Sequence, residues 1–426
     1  MNLFQHNKKL KTSLSIVLIV MCVVCFAPSL FNGFMDKWDD QWQVMNPYTV
    51  SDWNWKYIRH LFAYSFHGQY SPLNQLLYWA IFRIDELNPF CFHLTSLLLH
   101  IVNTLLLFTL LQIVIADKAN LQGNRRICVA FIATALFAIH PLQVESIAWV
   151  SASKILLSTS FYLGACLCYV KCLKQKRMSL YFSTFVCFVC AYFSKEQSVT
   201  LPLMLTLFAY LYKENFTNRW QWVKHLVPFY LASLCMGLLF MYETRTTGHA
   251  AGTTTAFDYA WWQRGILASY SLTEYFCKYF FPYHLQFKYF FPSPAENSFP
   301  LWMSLYPLLL LIIIGCSCKN IIRNKWLLIG LLIFFIHILP VLHLIPIHRQ
   351  HVTADRYMYL PLIGLSLGMA YYIDKAYYLC KNKIVKGCVL LLFAVLCLTL
   401  GTISFKQSAH WKSTKTLYED IRQPDK

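Results

Sequence analysis

Two carboxylates stand side by side in the stretch Met35-Asp36-Lys37-Trp38-Asp39-Asp40, directly after the first long apolar run. Adjacent acids at a membrane interface repel each other and are poorly solvated, so one can take a raised pKa and serve as a base near neutrality. The plainer reading of such a pair is a solvated acidic loop. A second cluster, His140-Pro141-Leu142-Gln143-Val144-Glu145, closes another apolar run. Proline ends or bends a helix there, which presents His140 and Glu145 near the surface, as a site or as a hydrogen-bonded turn. Lys154 opens the next apolar segment, and Ser194-Lys195-Glu196-Gln197 fills a later turn, where Lys195 and Glu196 alone make a local ion pair of small value. In Ala354-Asp355-Arg356-Tyr357-Met358-Tyr359-Leu360-Pro361, Arg356 can hold a phosphate by two-pronged hydrogen bonds, or simply anchor an aromatic belt.

These residues need elements to position them, and the chain supplies apolar helices. Of its 426 residues 57% are hydrophobic and only 13% charged, against roughly a quarter charged in soluble globular proteins. Runs long enough to cross a hydrocarbon core recur near residues 12–31, 91–115, 128–142, 155–171, 179–194, 198–212, 225–242, 300–316, 326–345, 357–373 and 385–404. The expected architecture is an all-α polytopic membrane protein of about eleven spans. Its transmembrane domain covers residues 1–404, with an external loop at 32–90 and a short external tail at 405–426. Residues 261–281, crowded with Trp261, Trp262, Tyr270, Tyr275 and Tyr279, are placed in the interface instead, with a twelve-span arrangement as the alternative.

Loop charge orients this bundle. With the N-terminus cytoplasmic, 20 of the 37 Lys and Arg fall on the cytoplasmic side with three acids, Asp117, Glu214 and Asp374. Nearly all of the net charge of +18 is then cytoplasmic, which favours N-in and C-out. The same distribution argues against nucleic acid as a partner, because the basic residues sit in short loops and form no soluble basic module. Most of the 16 cysteines lie inside apolar runs, with no zinc-type spacing in a polar loop, so neither a disulfide framework nor a metal site is inferred. The segment after Lys8, Lys9 and Lys11 is too long for a signal-peptide core and leads into acids, so it counts as the first span. On the second, His93, Ser96, His100 and Asn103 are spaced to share one helix face, where interhelical hydrogen bonding is the expected use.

The Asp pair, the His-Pro turn, Lys195, Glu196 and Arg356 all fall on the external side under a topology drawn from loop charge alone. A base, cations suited to phosphate and an aromatic rim make a sensible place to transfer a sugar from a lipid phosphate. In order along the chain stand Trp38-Asp39-Asp40 with Asn46-Pro47, Tyr70-Ser71-Pro72-Leu73, Asn88-Pro89-Phe90-Cys91-Phe92-His93, Phe137-Ala138-Ile139-His140-Pro141 with Glu145, Ser194-Lys195-Glu196, and Ala354 to Pro361. Together they resemble the transmembrane and tetratricopeptide-repeat O-mannosyltransferases and their bacterial relatives, of the GT-C glycosyltransferase superfamily.

The resemblance implies inverting transfer of mannose or another hexose from a polyprenyl-phosphate-linked donor to an acceptor hydroxyl on a protein or glycolipid. It implies Asp39 or Asp40 as base, weighted to Asp39, and Arg356, Lys195 and Lys154 around the lipid phosphate. His140, Glu145, Glu196, Asn46, Tyr70 and His93 are further site candidates. No cofactor beyond the donor is implied, and a divalent metal is left open. Ile155 follows Lys154 where relatives often carry an acid, and Ser96 stands where they have Asn. The sequence ends soon after Trp411–Tyr418, where the external repeats of relatives would begin, which puts a glycolipid or polysaccharide acceptor level with a protein. The expected setting is a bacterial inner membrane with the site facing the periplasm. Two other classes stay in view: a lipid-linked-sugar flippase, which needs polar groups distributed through its spans, and a non-catalytic membrane scaffold.

Overall fold

The computed structural model describes residues 2–36, 38–65, 69–119, 121, 123–246, 255–292, 300–346 and 351–422; Lys37, inside the acidic stretch, lies outside them. The described chain is a succession of helices. They are α1 (Asn2–Phe26), α2 (Asp40–Gln43), α3 (Pro47–Val50), α4 (Trp55–Ala63), α5 (Pro72–Asp85), α6 (Pro89–Lys118), α7 (Asn124–Ile139), α8 (Val144–Ala148) and α9 (Ser153–Gln175). There follow α10 (Met178–Ser194), α11 (Leu201–Leu211), α12 (Arg219–Thr246), α13 (Trp261–Phe280), α14 (Leu305–Arg323), α15 (Lys325–Ile338), α16 (Pro361–Leu379), α17 (Lys383–His410) and α18 (Thr414–Arg422).

Every expected span falls on one of these helices, but length and apolarity divide them. Six helical stretches are long and apolar enough to cross a membrane, and a seventh is counted if the bent pair α7–α8 forms one span. The other expected spans lie on short helices, α10, α11 and α15, or on α16, which carries Asp374 and Lys375. The segment assigned to the interface is the regular helix α13, which buries Leu267, Leu272, Tyr275 and Tyr279 while leaving Trp261 and Trp262 exposed. Residue 404 is no boundary in the helix: α17 runs through it to His410, and Trp411 and Leu417 beyond it are buried.

Local chemistry explains the irregular stretch between α1 and α6. Pro47, Pro72 and Pro89 each open a helix, where the missing N–H costs nothing, and Asn46, Asn54 and Asn88 cap α3, α4 and α6 through side-chain oxygens. His140-Pro141 breaks α7 from α8 with a bend of 56°. The polar face of α6 is used as interhelical glue. His100 pairs with the Tyr359 hydroxyl at 2.8 Å and the Ala138 carbonyl at 2.9 Å, while the Asn103 amide donates to Leu156 O at 2.9 Å and to the Tyr359 hydroxyl at 3.2 Å. One stripe therefore fastens α6 to α7, α9 and the 354–360 loop.

Every ion pair among the described residues joins two residues that loop charge assigns to the same side. Lys118–Glu214, Arg125–Asp374 and Lys174–Asp117 gather at one end, and Lys195–Glu196, Lys278–Asp355, Arg356–Glu145 and Arg83–Asp52 belong to the other. The bundle thus has two chemically distinct ends.

α15 and α16 cross where Gly330 meets Gly364. A Cβ on Gly364 would stand 2.1 Å from Gly330 O and 2.6 Å from Phe334 N, both backbone atoms that cannot swing away. Gly364→Ala is therefore expected to force these helices apart, at about 1–3 kcal/mol. A lowered unfolding midpoint of the detergent-solubilised protein would register this, with Gly387→Ala, which meets nothing within 4 Å, as the neutral control.

Candidate active site

The two adjacent acids part company. Asp40, fully buried at the start of α2, turns inward. Its Oδ2 accepts from Met35 N at 2.8 Å, and its Oδ1 accepts from Ser151 N at 3.0 Å and from the Ser151 hydroxyl. Burial and, more weakly, the charge of Asp39 push its carboxyl up to about 6 despite these donors. Asp39, half-buried at the helix start, has no side-chain hydrogen bond or ion pair among the described residues. It does lie in the electrostatic field shared by Lys154 and Arg356.

The cations reach this acid from three elements. Lys154, in the first turn of α9, is 7% exposed and donates to Gln43 Oε1 at 3.1 Å and to Gln69 Oε1. Gln43 Nε2 in turn donates to Gln69 Oε1 at 2.9 Å, so amide oxygens surround the ammonium. Lys195, just past α10, pairs with Glu196 at 3.2 Å. Arg356, in the 3-10 turn Asp355–Met358, pairs with Glu145 through its side chain, and its own N–H donates to Glu145 Oε2 at 2.7 Å. Lys154 feels the charges of Lys195, Asp39, Glu196 and Arg356 together. Asp39, Lys154, Lys195, Glu196, Arg356 and Glu145 therefore meet in one place.

The remaining candidates hold that place together. His140 is buried, stacked on Tyr279 at 5.1 Å, with Nε2 toward the Tyr279 carbonyl and Nδ1 accepting from Leu142 N. Asn46 caps α3 and donates to Trp42 O and Gln43 O. The Tyr70 hydroxyl donates to Phe62 O at 2.9 Å. His93 is fully buried against the backbone of Asn32 and Gly33. Among the described residues no group of three or more His, Cys, Asp or Glu is placed to hold a metal ion.

Several participants had not been singled out. Gln43 stands one helical turn after Asp39, a spacing that could have drawn attention to it, whereas Gln69 had no such signal. Ser151 anchors Asp40 from the turn before Lys154. Trp38, Trp149 and Trp411 form one aromatic wall, with Trp38–Trp149 centroids 4.9 Å apart and Trp411 about equally near both, at 6.2 and 6.1 Å. The segment beyond α17 is bound into the same wall: Gly33 N donates to Lys412 O at 3.0 Å and the Thr414 hydroxyl to Asp36 Oδ1 at 2.9 Å.

What the bundle and this acid–cation cluster define is a helical chain of membrane type whose polar centre lies at one end. Comparison with known proteins narrows that to similarity with the protein O-mannosyl-transferases. The chain is 25% identical over 83% of its length to a protein O-mannosyl-transferase of Caenorhabditis elegans, and covers 48% of that protein. It is 29% identical over 32% of its length to one from Drosophila melanogaster, covering 16%, and 29% identical over 25% of its length to one from Homo sapiens, covering 10%. The chain thus spans less than half the length of these curated relatives. No family profile matches it. Among solved structures it is similar to ArnT from Cupriavidus metallidurans bound to undecaprenyl phosphate, at 11% identity and a TM-score of 0.41, over 95% of this chain and 75% of the other.

Between pH 3.8 and about 6 Asp40 takes up a proton on folding, because burial raises its carboxyl from 3.8 to about 6. A raised acid stabilises the fold fully below the unfolded value and loses that contribution as pH rises through about 6. Carboxyl-band infrared titration is expected to show one buried acid titrating near pH 6, absent in Asp40→Asn.

Proposed function

We propose that the chain transfers a hexose, mannose first among the candidates, from a polyprenyl-phosphate carrier to an acceptor hydroxyl on a protein or glycolipid, with inversion. The observation that carries this reading is the division of the acid pair. Asp40 is consumed by three protein donors, while Asp39, beside Lys154 and Arg356, has no side-chain hydrogen bond or ion pair among the described residues.

Asp39 takes the proton of the acceptor hydroxyl as that oxygen bonds to the anomeric carbon. The bond from that carbon to the carrier phosphate breaks on the opposite face, and the phosphate leaves with the electron pair, so the centre inverts. Lys154, Lys195 and Arg356 receive the charge that develops on the departing oxygen. Lys154 suits this role best. It is buried, and among the described residues its hydrogen bonds go to neutral amide oxygens and it has no ion pair, so a phosphate can supply the anionic partner. Lys195 and Arg356 already have carboxylates and act as shared cations. The site lies on the face opposite the lysine-rich loops, a periplasm or an organelle lumen. The match to protein O-mannosyl-transferases supports sugar transfer as the reaction.

Reconstituted membranes given polyprenyl-phosphate hexose and a range of hydroxyl acceptors test this directly. Asp39→Asn should lower turnover about 10²- to 10⁴-fold without unfolding the protein. Lys154→Met should raise the donor KM about tenfold or more. Unchanged transfer by Asp39→Asn overturns the base assignment. Movement of intact donor across the bilayer with no transfer by the native chain would make it a flippase.

A further inference from the structure

Helix α13 carries a single acid, Glu274. Its Oε2 accepts from the Tyr283 hydroxyl at 3.0 Å, and it has no ion pair among the described residues. The next two lysines along the chain are turned elsewhere. Lys278 pairs with Asp355 at 3.5 Å, and Lys288 places its ammonium 5.1 Å from the Trp38 ring centroid. Aromatic rings gather near Glu274 instead. Tyr270, one turn before it, lies 5.1 Å from Tyr306 and 5.9 Å from Trp302, and Trp302 is 6.0 Å from Tyr306. The three rings are inclined to one another by 65–81°. The charge of Glu274 acts on Tyr270, Tyr283 and Tyr306 alike, so the carboxylate belongs to this cluster.

The cluster stands where a candidate membrane span begins. Trp302 opens the apolar stretch Trp302–Arg323, which is long enough to cross a bilayer, and α14 within it buries none of its residues. Trp and Tyr are commonly found at the headgroup level, and edge-to-face packing accounts for their touching. Neither explains a carboxylate among them without a cation, because neighbouring hydrocarbon deprives it of water. Trp302 is 53% exposed, so the cluster is open to the surroundings of the bundle. Leu309 and Ile313 follow Tyr306 by three and seven residues on the same helix face, and both stay exposed.

We propose that Glu274, Tyr270, Trp302 and Tyr306 seat the ammonium headgroup of a zwitterionic phospholipid whose acyl chains run along α14. The carboxylate supplies the opposite charge, and aromatic faces attract an alkylammonium without needing a hydrogen bond. A lipid rather than a soluble cation follows from the exposed apolar face that continues from Tyr306. An anionic headgroup would bring like charge against Glu274 and is disfavoured. The seat lies one helical turn from Lys278, whose partner Asp355 adjoins Arg356, so it belongs to the end of the bundle that holds Asp39. The inference stands whether or not the chain transfers a sugar.

The test uses the full chain, delipidated in detergent and titrated with dioleoyl phosphatidylethanolamine, phosphatidylcholine or phosphatidylglycerol, with binding read by native mass spectrometry. The two zwitterionic lipids are expected to bind about tenfold more tightly than the anionic one. Glu274→Gln should raise the Kd of both about tenfold and leave that of phosphatidylglycerol unchanged. Trp302→Leu, which keeps an apolar side chain, should raise it about threefold. Tyr283→Phe removes the hydroxyl bond to Glu274 but keeps the charge, and should retain the native Kd. Glycerophosphocholine, a headgroup without chains, should bind about a hundredfold more weakly than the lipids. Equal Kd values for the three lipids in the native protein, or an unchanged Kd in Glu274→Gln, overturn the proposal. A loss in Tyr283→Phe equal to that in Glu274→Gln would make Glu274 a structural acid. Glycerophosphocholine binding as tightly as the lipids would make this a soluble-cation site, and either result also overturns the lipid seat.

Discussion

The buried carboxylate of Asp40 is the constraint on which the rest of the site depends. It joins the backbone at Met35 to the backbone and hydroxyl of Ser151, and so ties the loop after α1 to the turn that starts α9. Lys154 follows that turn by three residues, so its ammonium is fixed relative to the acidic loop by a hydrogen-bonded clamp. The clamp also determines what Asp39 does. Successive residues at a helix start point about 100° apart, so turning Asp40 inward leaves Asp39 facing elsewhere. A single acid could not both anchor the loop and stay free; two adjacent ones divide these tasks.

The other cations are kept from collapsing onto Asp39 by acids of their own. Glu145 bonds both the side chain and the backbone of Arg356, which sets its guanidinium against Trp149. Asp355, the residue before Arg356, is held by the Tyr289 hydroxyl and by Lys278, which itself lies 3.6 Å from the Tyr289 ring centroid. Such buried pairs add little net stability, because desolvating the charges offsets most of their attraction. Their value here is positional: each removes a loop degree of freedom from a charged group in the cluster.

Local signals reached further for the fold than for the site. The 3-4-3 spacing on α6 identified an interhelical hydrogen-bonding face, and His100 and Asn103 make those bonds. The prolines opening α3, α5 and α6 marked the helices of the first external loop. Span counting was less legible, because apolar stretches such as 198–212 form helices as short as α11, and no composition rule fixes a helix end set by tertiary packing. At the site, the motif residues Asp39, Lys195 and Arg356 could be named and their meeting inferred from shared sidedness. The division of labour between Asp39 and Asp40 could not, since it turns on Ser151, distant by 111 residues in the chain. Lys288, Gln69 and Trp411 were equally silent, being ordinary residues in segments without a motif. The helical run past residue 404 shows the same gap: hydropathy falls there, but Trp411 gains burial against Trp38 and Trp149.

The two ends of the bundle use charge in opposite ways, and that contrast bears on where chemistry can occur. At the end remote from Asp39, the acids Asp117, Glu214 and Asp374 are each engaged by a cation from another element, Lys174, Lys118 and Arg125. Asp117 also accepts from the Tyr212 hydroxyl at 2.7 Å, and Arg125 lies over the Tyr378 ring at 3.8 Å. These contacts fasten helix ends and leave no acid there for another task. At the Asp39 end, pairing is deliberately incomplete. Glu145, Glu196 and Asp355 each hold a cation, yet Asp39, Lys154 and Lys288 have no ion-pair partner among the described residues. Gln43 and Gln69 give Lys154 neutral partners, and the Trp38 ring gives one to Lys288. Neutral partners hold a cation in place without cancelling its charge. Asp39, Lys154 and Lys288 are thereby left as groups at this end whose charge no ion pair among the described residues offsets.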